Sequence, residues 1–186
     1  RLRVFMGVCG GIYLADKLYA FYAITYRVEQ PLFRRLSNGV QVSFKHPRGW
    51  NAQQVGYINI MVPWISTTQW HPFSVYGNPR VPDQSSVCIV AAGDWTKQLH
   101  DSVQRPTSRP VWIQGPFASP YEGAADYDNL LLVASGIGIT PALSCMLHHK
   151  HQRRVPLLWM CRDAALIEFF LDVFQFDEDG FTLVYY

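Results

Sequence analysis

The sequence predicts two successive folding units, a small antiparallel β-barrel and then a parallel α/β unit. Three observations carry this. Up to about Gly115, short β-rich runs alternate with turn residues. From Asn129 the pattern changes to continuous apolar runs separated by helical stretches. Between the two lies the polar stretch "SPYEGAADYD", residues 119–128, where the boundary is expected.

In the first unit, residues 21–28, 40–45, 57–62, 70–76, 87–92 and 110–114 read as strands, rich in β-branched and aromatic residues. Asn38-Gly39, Pro47-Arg48-Gly49 and the run from Asn78-Pro79 to Pro82-Asp83 supply the turns. Short strands at this spacing suit a small barrel. One helix interrupts them. Asp94 is expected to cap "WTKQLHDSV", with Trp95, Leu99 and Val103 on its apolar face.

In the second unit, "NLLLVA" is a buried strand, "SGIGITPALSCMLHHK" opens a helix, and "VPLLWMC" is a second buried strand. A helix over 163–174 and a strand over 181–186 follow. Apolar strands alternating with helices predict a doubly wound parallel sheet.

Composition narrows the function. The 186 residues are 49% hydrophobic and 15% aromatic, enough for a sizeable core. Sixteen Lys and Arg against 14 Asp and Glu give a formal charge of +2 and no argument for nucleic acid. Cys9, Cys88, Cys145 and Cys161 are too scattered for a zinc site and favour a reducing compartment. His148, His149 and His151, beside Lys150, Arg153 and Arg154, read as the basic end of a helix and not as a metal site. No Ser-His-Asp or paired-carboxylate arrangement is visible.

At the N-terminus, the apolar run from Val4 to Ala15 falls short of the roughly 20 residues that a bilayer core of about 30 Å requires. It also lacks the layout of a signal peptide. Residues 1–20 therefore read either as a packed amphipathic helix or as the cytosolic end of a membrane helix. The abrupt start and the apolar "FTLVYY" ending suggest a fragment at both ends.

Two stretches carry chemistry. In "VASGIGITPALS" a buried strand runs into Gly136-Ile137-Gly138, and a helix begins near Thr140-Pro141. Glycines admit phosphates to the backbone, and a helix N-terminus favours their charge. The third position of the G-x-G-x-x-G pattern is Pro141, so a tight turn without a ligand is the alternative. In "QWHPFSVYGNP", residues 69–79, the side chains of His71, Phe73 and Ser74 are expected on one ligand-facing side of a strand.

Taken in order, "HPFS" (71–74), "GDWTKQL" (93–99), "GPF" (115–117), "GIGITP" (136–141) and "WMCRD" (159–163) resemble the NADPH oxidase and ferric reductase family. That family has a two-domain ferredoxin-reductase-like fold. The resemblance implies an FAD-binding β-barrel over 21–118 and a C-terminally incomplete NADPH-binding α/β domain over 119–186. By position it places His71, with Pro72, at the flavin phosphate or ribityl oxygens. It places Phe73 on the isoalloxazine and the Ser74 hydroxyl near flavin N5, making Ser74 the candidate catalytic residue. Trp95 and Thr96 fall at the FAD pyrophosphate. Gly136, Ile137, Gly138, Thr140 and Pro141 fall at the NADPH pyrophosphate, and Arg162 at the 2′-phosphate. No metal ligands are implied, and haem is expected only on membrane helices outside these residues.

The same resemblance implies a membrane enzyme with this portion on the cytosolic face, NADPH as substrate, and room for regulatory protein subunits. Oxygen is the expected terminal acceptor, with chelated iron or copper as the alternative. A soluble flavin reductase and a flavin-less interaction module are the competing classes. Val90 stands where an arginine is expected, "VGYIN" (55–59) replaces Gly-Gln-Tyr, and Ala118 replaces a glycine.

Overall fold

The computed structural model describes residues 2–51, 56–149, 154–174, 176 and 180–186. Eight strands form one antiparallel sheet. They are β1 (Thr25–Val28), β2 (Leu32–Leu36), β3 (Gly39–Lys45), β4 (Gly56–Met61), β5 (His71–Asn78), β6 (Val81–Val90), β7 (Thr107–Ser108) and β8 (Val111–Ala118). Their order is β1-β8-β4-β5-β6-β3-β2-β7. Side chains on the inner face, among them Phe33, Val42, Ile58, Ile60, Val75, Val87 and Ile113, make one buried core. Helix α2 (Asp94–Ser102) closes that core with Trp95 and Leu99, followed by Val103.

The second unit is a three-stranded parallel sheet, β11 (Phe181–Tyr185), β10 (Leu157–Cys161) and β9 (Leu132–Ser135), in that order. Helices α3 (Ile139–His149) and α4 (Ala164–Val173) follow β9 and β10. Trp159, Leu157, Leu143, Ile139 and Phe170 form its core. Tyr76 from β5 and Cys88 from β6 join that second core, so the parallel unit packs on the outside of the barrel.

Several elements differ from expectation, among them the short strand β7, which was not expected. Helix α1 (Leu2–Ala23) takes in Phe21 to Ala23, which were expected to begin a strand. Antiparallel pairing begins only at Thr25, opposite Gln114. The helix has 22 residues with mean hydropathy 1.3, long and apolar enough to cross a membrane. None of its residues is buried against the rest of the described chain. Strand β2 was not expected. Its Arg35 donates to the carbonyls of His100 and Val103, and Arg34 lies 5.9 Å from the Phe169 ring. Strand β6 begins at Val81, well before the expected Val87, because the polar residues Gln84 to Ser86 pair with β3. The expected basic cluster around His151 falls partly outside the described residues: 150–153 are not among them.

One histidine makes folding sensitive to pH. His46 stacks on Trp50 with centroids 5.8 Å apart, and its Nε2 is 2.8 Å from the Ser85 hydroxyl. Burial lowers its pKa below 6.5, partly opposed by the charge of Asp83. The unfolded chain therefore binds the proton more readily. The stability held by neutral His46 is complete above pH 6.5 and falls as the pH drops through the lowered folded value. His148, also lowered by burial, adds a contribution of the same sign. Urea unfolding between pH 7.5 and 5 is expected to show this decline, and His46→Gln to make it shallower; an unchanged slope would assign the decline to other groups.

Candidate flavin and nucleotide sites

Alternation along β5 decides which side chains meet. Val75 points into the barrel core and Tyr76 into the core of the parallel unit. His71 and Phe73 share the side of Val75, and Ser74 shares that of Tyr76. The expectation that His71, Phe73 and Ser74 lie on one face is therefore corrected: residues three apart on a strand point oppositely.

On the inner side, α2 brings Trp95 against the strand. Its ring lies 4.3 Å from His71 and 6.2 Å, stacked, from Phe73. His71 Nε2 and Trp95 Nε1 are both buried and without a hydrogen-bond partner. Buried polar nitrogens of this kind are costly unless something completes them. Two such nitrogens, on rings 4.3 Å apart beside the start of α2, are polar atoms that a ligand there would complete. Trp64 Nε1 is orphaned as well, but it lies against Phe33 and Arg109.

The start of α2 is built differently from expectation. Gly93, not Asp94, is the N-cap residue. The Thr96 hydroxyl reaches back, accepting from the N–H groups of Ala92 at 3.0 Å and Gly93 at 2.9 Å. It donates to the Gly93 carbonyl at 2.9 Å. Thr96 thus shapes the loop with its side chain, and the first-turn backbone N–H groups lack intrahelical acceptors, the general feature that suits a helix start to an anion.

On the outer side of β5, Ser74 pairs in register with Tyr57 of β4, which pairs with Phe117 of β8. Tyr57 and Phe117 stack at 5.2 Å and 26°. This aromatic wall beside Ser74 was missed from sequence. Both residues stood in noted stretches, "VGYIN" and "GPF", but only strand register brings them together. Val90, where an arginine was expected, is half-buried at the end of β6, opposite Gly39. It lines a cavity of about 20 Å³ between the β2–β3 turn and α4. Val55, in "VGYIN", lies outside the described residues.

In the parallel unit, β9 runs into a single 3-10 turn, Gly136–Gly138, and then α3. Gly136 has φ +50, a conformation that disfavours side chains. The Trp159 indole N–H donates to the Gly136 carbonyl at 2.9 Å, and the Thr140 hydroxyl to Ile137 O at 3.1 Å. A side chain at Gly136 or Gly138 would meet nothing within 4 Å, so both glycines border open space. Pro141 sits in the first turn of α3, where its missing N–H needs no partner. At the end of β10, Arg162 is exposed, its guanidinium 5.5 Å from the Tyr186 ring. Asp163 turns the other way and caps α4, accepting from Leu166 N at 3.1 Å. The Asp163 carboxylate is thereby engaged by α4 and not by the Arg162 guanidinium.

Residues 29–152 match the FAD-binding domain family, and residues 127–178 match the ferric reductase NAD binding domain. The chain belongs to the NADPH oxidase and ferric reductase family. It is 30% identical to human NADPH oxidase 3 over 180 residues, covering 87% of this chain and 32% of that protein. Against mouse NADPH oxidase 1 it is 29% identical over 172 residues, covering 85% and 29%. Against ferric reduction oxidase 7, chloroplastic, of Arabidopsis thaliana, it is 33% identical over 171 residues, covering 79% and 23%. The chain thus spans about a third or less of these relatives. Phthalate dioxygenase reductase superposes with TM-score 0.65 at 15% identity, over 87% of this chain and 51% of that one. The flavohemoglobin of Malassezia yamatoensis superposes with TM-score 0.61 at 19% identity, over 94% and 49%. These two establish the ferredoxin-reductase-like fold. The orphaned nitrogens beside α2 and the open space at Gly136 and Gly138 suit the two cofactors of the family, FAD and a nicotinamide nucleotide.

The indole tether to Gly136 is testable. Trp159→Phe keeps most of the ring volume but strands a carbonyl, a change worth about 1–3 kcal/mol. A stability loss in that range is expected in urea unfolding, together with a several-fold rise in the Kd for NADP+ by calorimetry. Unchanged nucleotide affinity would show that the tether does not shape the phosphate turn.

Proposed function

We propose that this chain is the dehydrogenase portion of a membrane NADPH oxidase, passing electrons from NADPH through FAD to haem and then to oxygen. The observation that carries the reading is the pair of orphaned nitrogens on His71 of β5 and Trp95 of α2, beside a strand whose Tyr76 packs into the nucleotide unit. The FAD half is the expected 21–118 without Phe21 to Ala23, which belong to α1, and residues 119–186 are the NADPH half. Helix α1 seats the module at the membrane, with the two halves on the cytosolic face, where regulatory subunits have access. Haem lies on membrane helices outside these residues.

When bound, the nicotinamide nucleotide would supply a hydride and FAD would be its acceptor. The protein's work is binding and orientation. His71 and Trp95 give their ring nitrogens to the flavin's polar chain, and the start of α2 holds the pyrophosphate. Phe73 supports the ring. Ser74, on the side facing the nucleotide unit, sets a hydroxyl toward N5. Gly136, Ile137, Gly138, Thr140 and Pro141 form the turn and helix start that hold the nucleotide phosphates, and Arg162 meets the 2′-phosphate.

A metal-chelate reductase is the second reading, favoured by the ferric reductase match over residues 127–178 and the plant relative. Comparing NADPH-driven superoxide production with ferric chelate reduction in membranes holding the full-length protein decides between them.

Two cofactor predictions follow from these assignments. Purified protein is expected to bind FAD more tightly than FMN, and Phe73→Ala to weaken FAD binding by about 1–3 kcal/mol, by analogy with aromatic stacking on bases. Fluorescence titration measures both; equal affinity for FAD and FMN would remove the pyrophosphate assignment. The second concerns NADPH against NADH. A charge-assisted bond from Arg162 is worth roughly 1.5–3 kcal/mol, or about 10- to 150-fold. Arg162→Ala is expected to lower the ratio of kcat/KM for the two nucleotides by that factor, and an unchanged ratio would make Arg162 a solvated surface residue.

A further inference from the structure

Tyr76 lies on β5 two residues beyond Ser74, yet its ring belongs to the other unit. It is 1% exposed and sits in the core of the parallel sheet. Its ring centroid is 5.8 Å from Phe170 of α4 and 5.8 Å from Phe174 just beyond that helix. On the barrel side, Gln41 Nε2 donates to the Tyr76 hydroxyl at 3.3 Å, and Tyr76 pairs in register with Ser86. Burial pushes its hydroxyl pKa well above the ordinary tyrosine value, so it stays neutral. Neighbouring Cys88, its thiol pushed up to about 12 by burial, fills the same core and is unreactive.

One ring carried by the barrel strand β5 is therefore held among the aromatic rings of Phe170 and Phe174, so the ring and not its hydroxyl makes the link. We infer that Tyr76 is a positioning residue that fixes the spacing and register of the two units across Ser74. Reacting atoms must meet within about 3–3.5 Å, and a displacement of about 1 Å can lower a rate about 100-fold. A single wedge between two cores is suited to setting such a distance. This inference rests on the proposed hydride transfer between the two halves.

The test uses the full-length protein with Tyr76→Ala, Tyr76→Phe and Phe174→Leu. In the apoprotein, hydrogen exchange of α4 is expected to rise at least tenfold in Tyr76→Ala and to stay near wild type in Tyr76→Phe, which keeps the wedge. Affinities for FAD and NADP+ are expected to change less than about twofold, whereas flavin reduction at saturating NADPH slows at least tenfold. The long-wavelength absorption of the flavin–nicotinamide complex is expected to weaken in parallel. Phe174→Leu, which loosens the wedge from the opposite side, gives the same pattern more weakly and stands in if Tyr76→Ala does not fold. Wild-type rates in Tyr76→Ala and Phe174→Leu, or a slow Tyr76→Phe, overturn the inference. Absence of flavin reduction by NADPH in the wild type overturns the hydride-transfer reading instead.

Discussion

The alternation of side chains along β5, with Val75 in the barrel core, Phe73 packed against it and Tyr76 in the core of the parallel sheet, joins the two units. A strand has only two faces, and here each faces a different hydrophobic core. A slip of one residue in pairing would move every side chain to the opposite face and open both cores at once. The pairing of Tyr57 with Ser74 on one side and of Val75 with Val87 on the other prevents such a slip. Register thus fixes which unit His71 and Ser74 each serve.

Both candidate phosphate sites use the same physical device, a helix that starts at the end of an extended segment. They differ in how the start is held. At α2 the clamp is local, a threonine hydroxyl bridging its own loop. At α3 it comes from the neighbouring strand, through the Trp159 indole on the Gly136 carbonyl. The first is set by a few consecutive residues, whereas the second exists only when β9 and β10 are paired. The turn before α3 is therefore formed by the sheet, and the start of α2 by its own sequence.

Much of this was legible from residues alone. The barrel-then-α/β order, the Gly136–Gly138 turn, helix α2 and the capping role of Asp163 follow from local patterns, and the structure has each of them. What escaped was non-local. "LFRRL" does not read as a strand, because its arginines find acceptors and a ring only across the fold, at His100, Val103 and Phe169. The polar start of β6 is strand only because β3 lies beside it. Phe21 and Tyr22 look β-forming, yet they extend a helix because pairing is available only from Thr25. The stack of Tyr57 on Phe117 needed a strand register that no single motif contains.

The junction between α1 and β1 is a single residue, Ile24. It is tied on both sides: the Thr25 hydroxyl donates to the Ala20 carbonyl at 2.8 Å, and Gly115 N–H donates to the Ile24 carbonyl at 2.9 Å. At about 1.5 Å per residue the helix is a rod of about 33 Å, joined to the barrel with almost no slack. A flexible tether would let the module sample a wide volume. This joint instead turns the tilt of the helix directly into the tilt of the barrel, so any force that leans the rod swings the flavin side as the far arm of a lever.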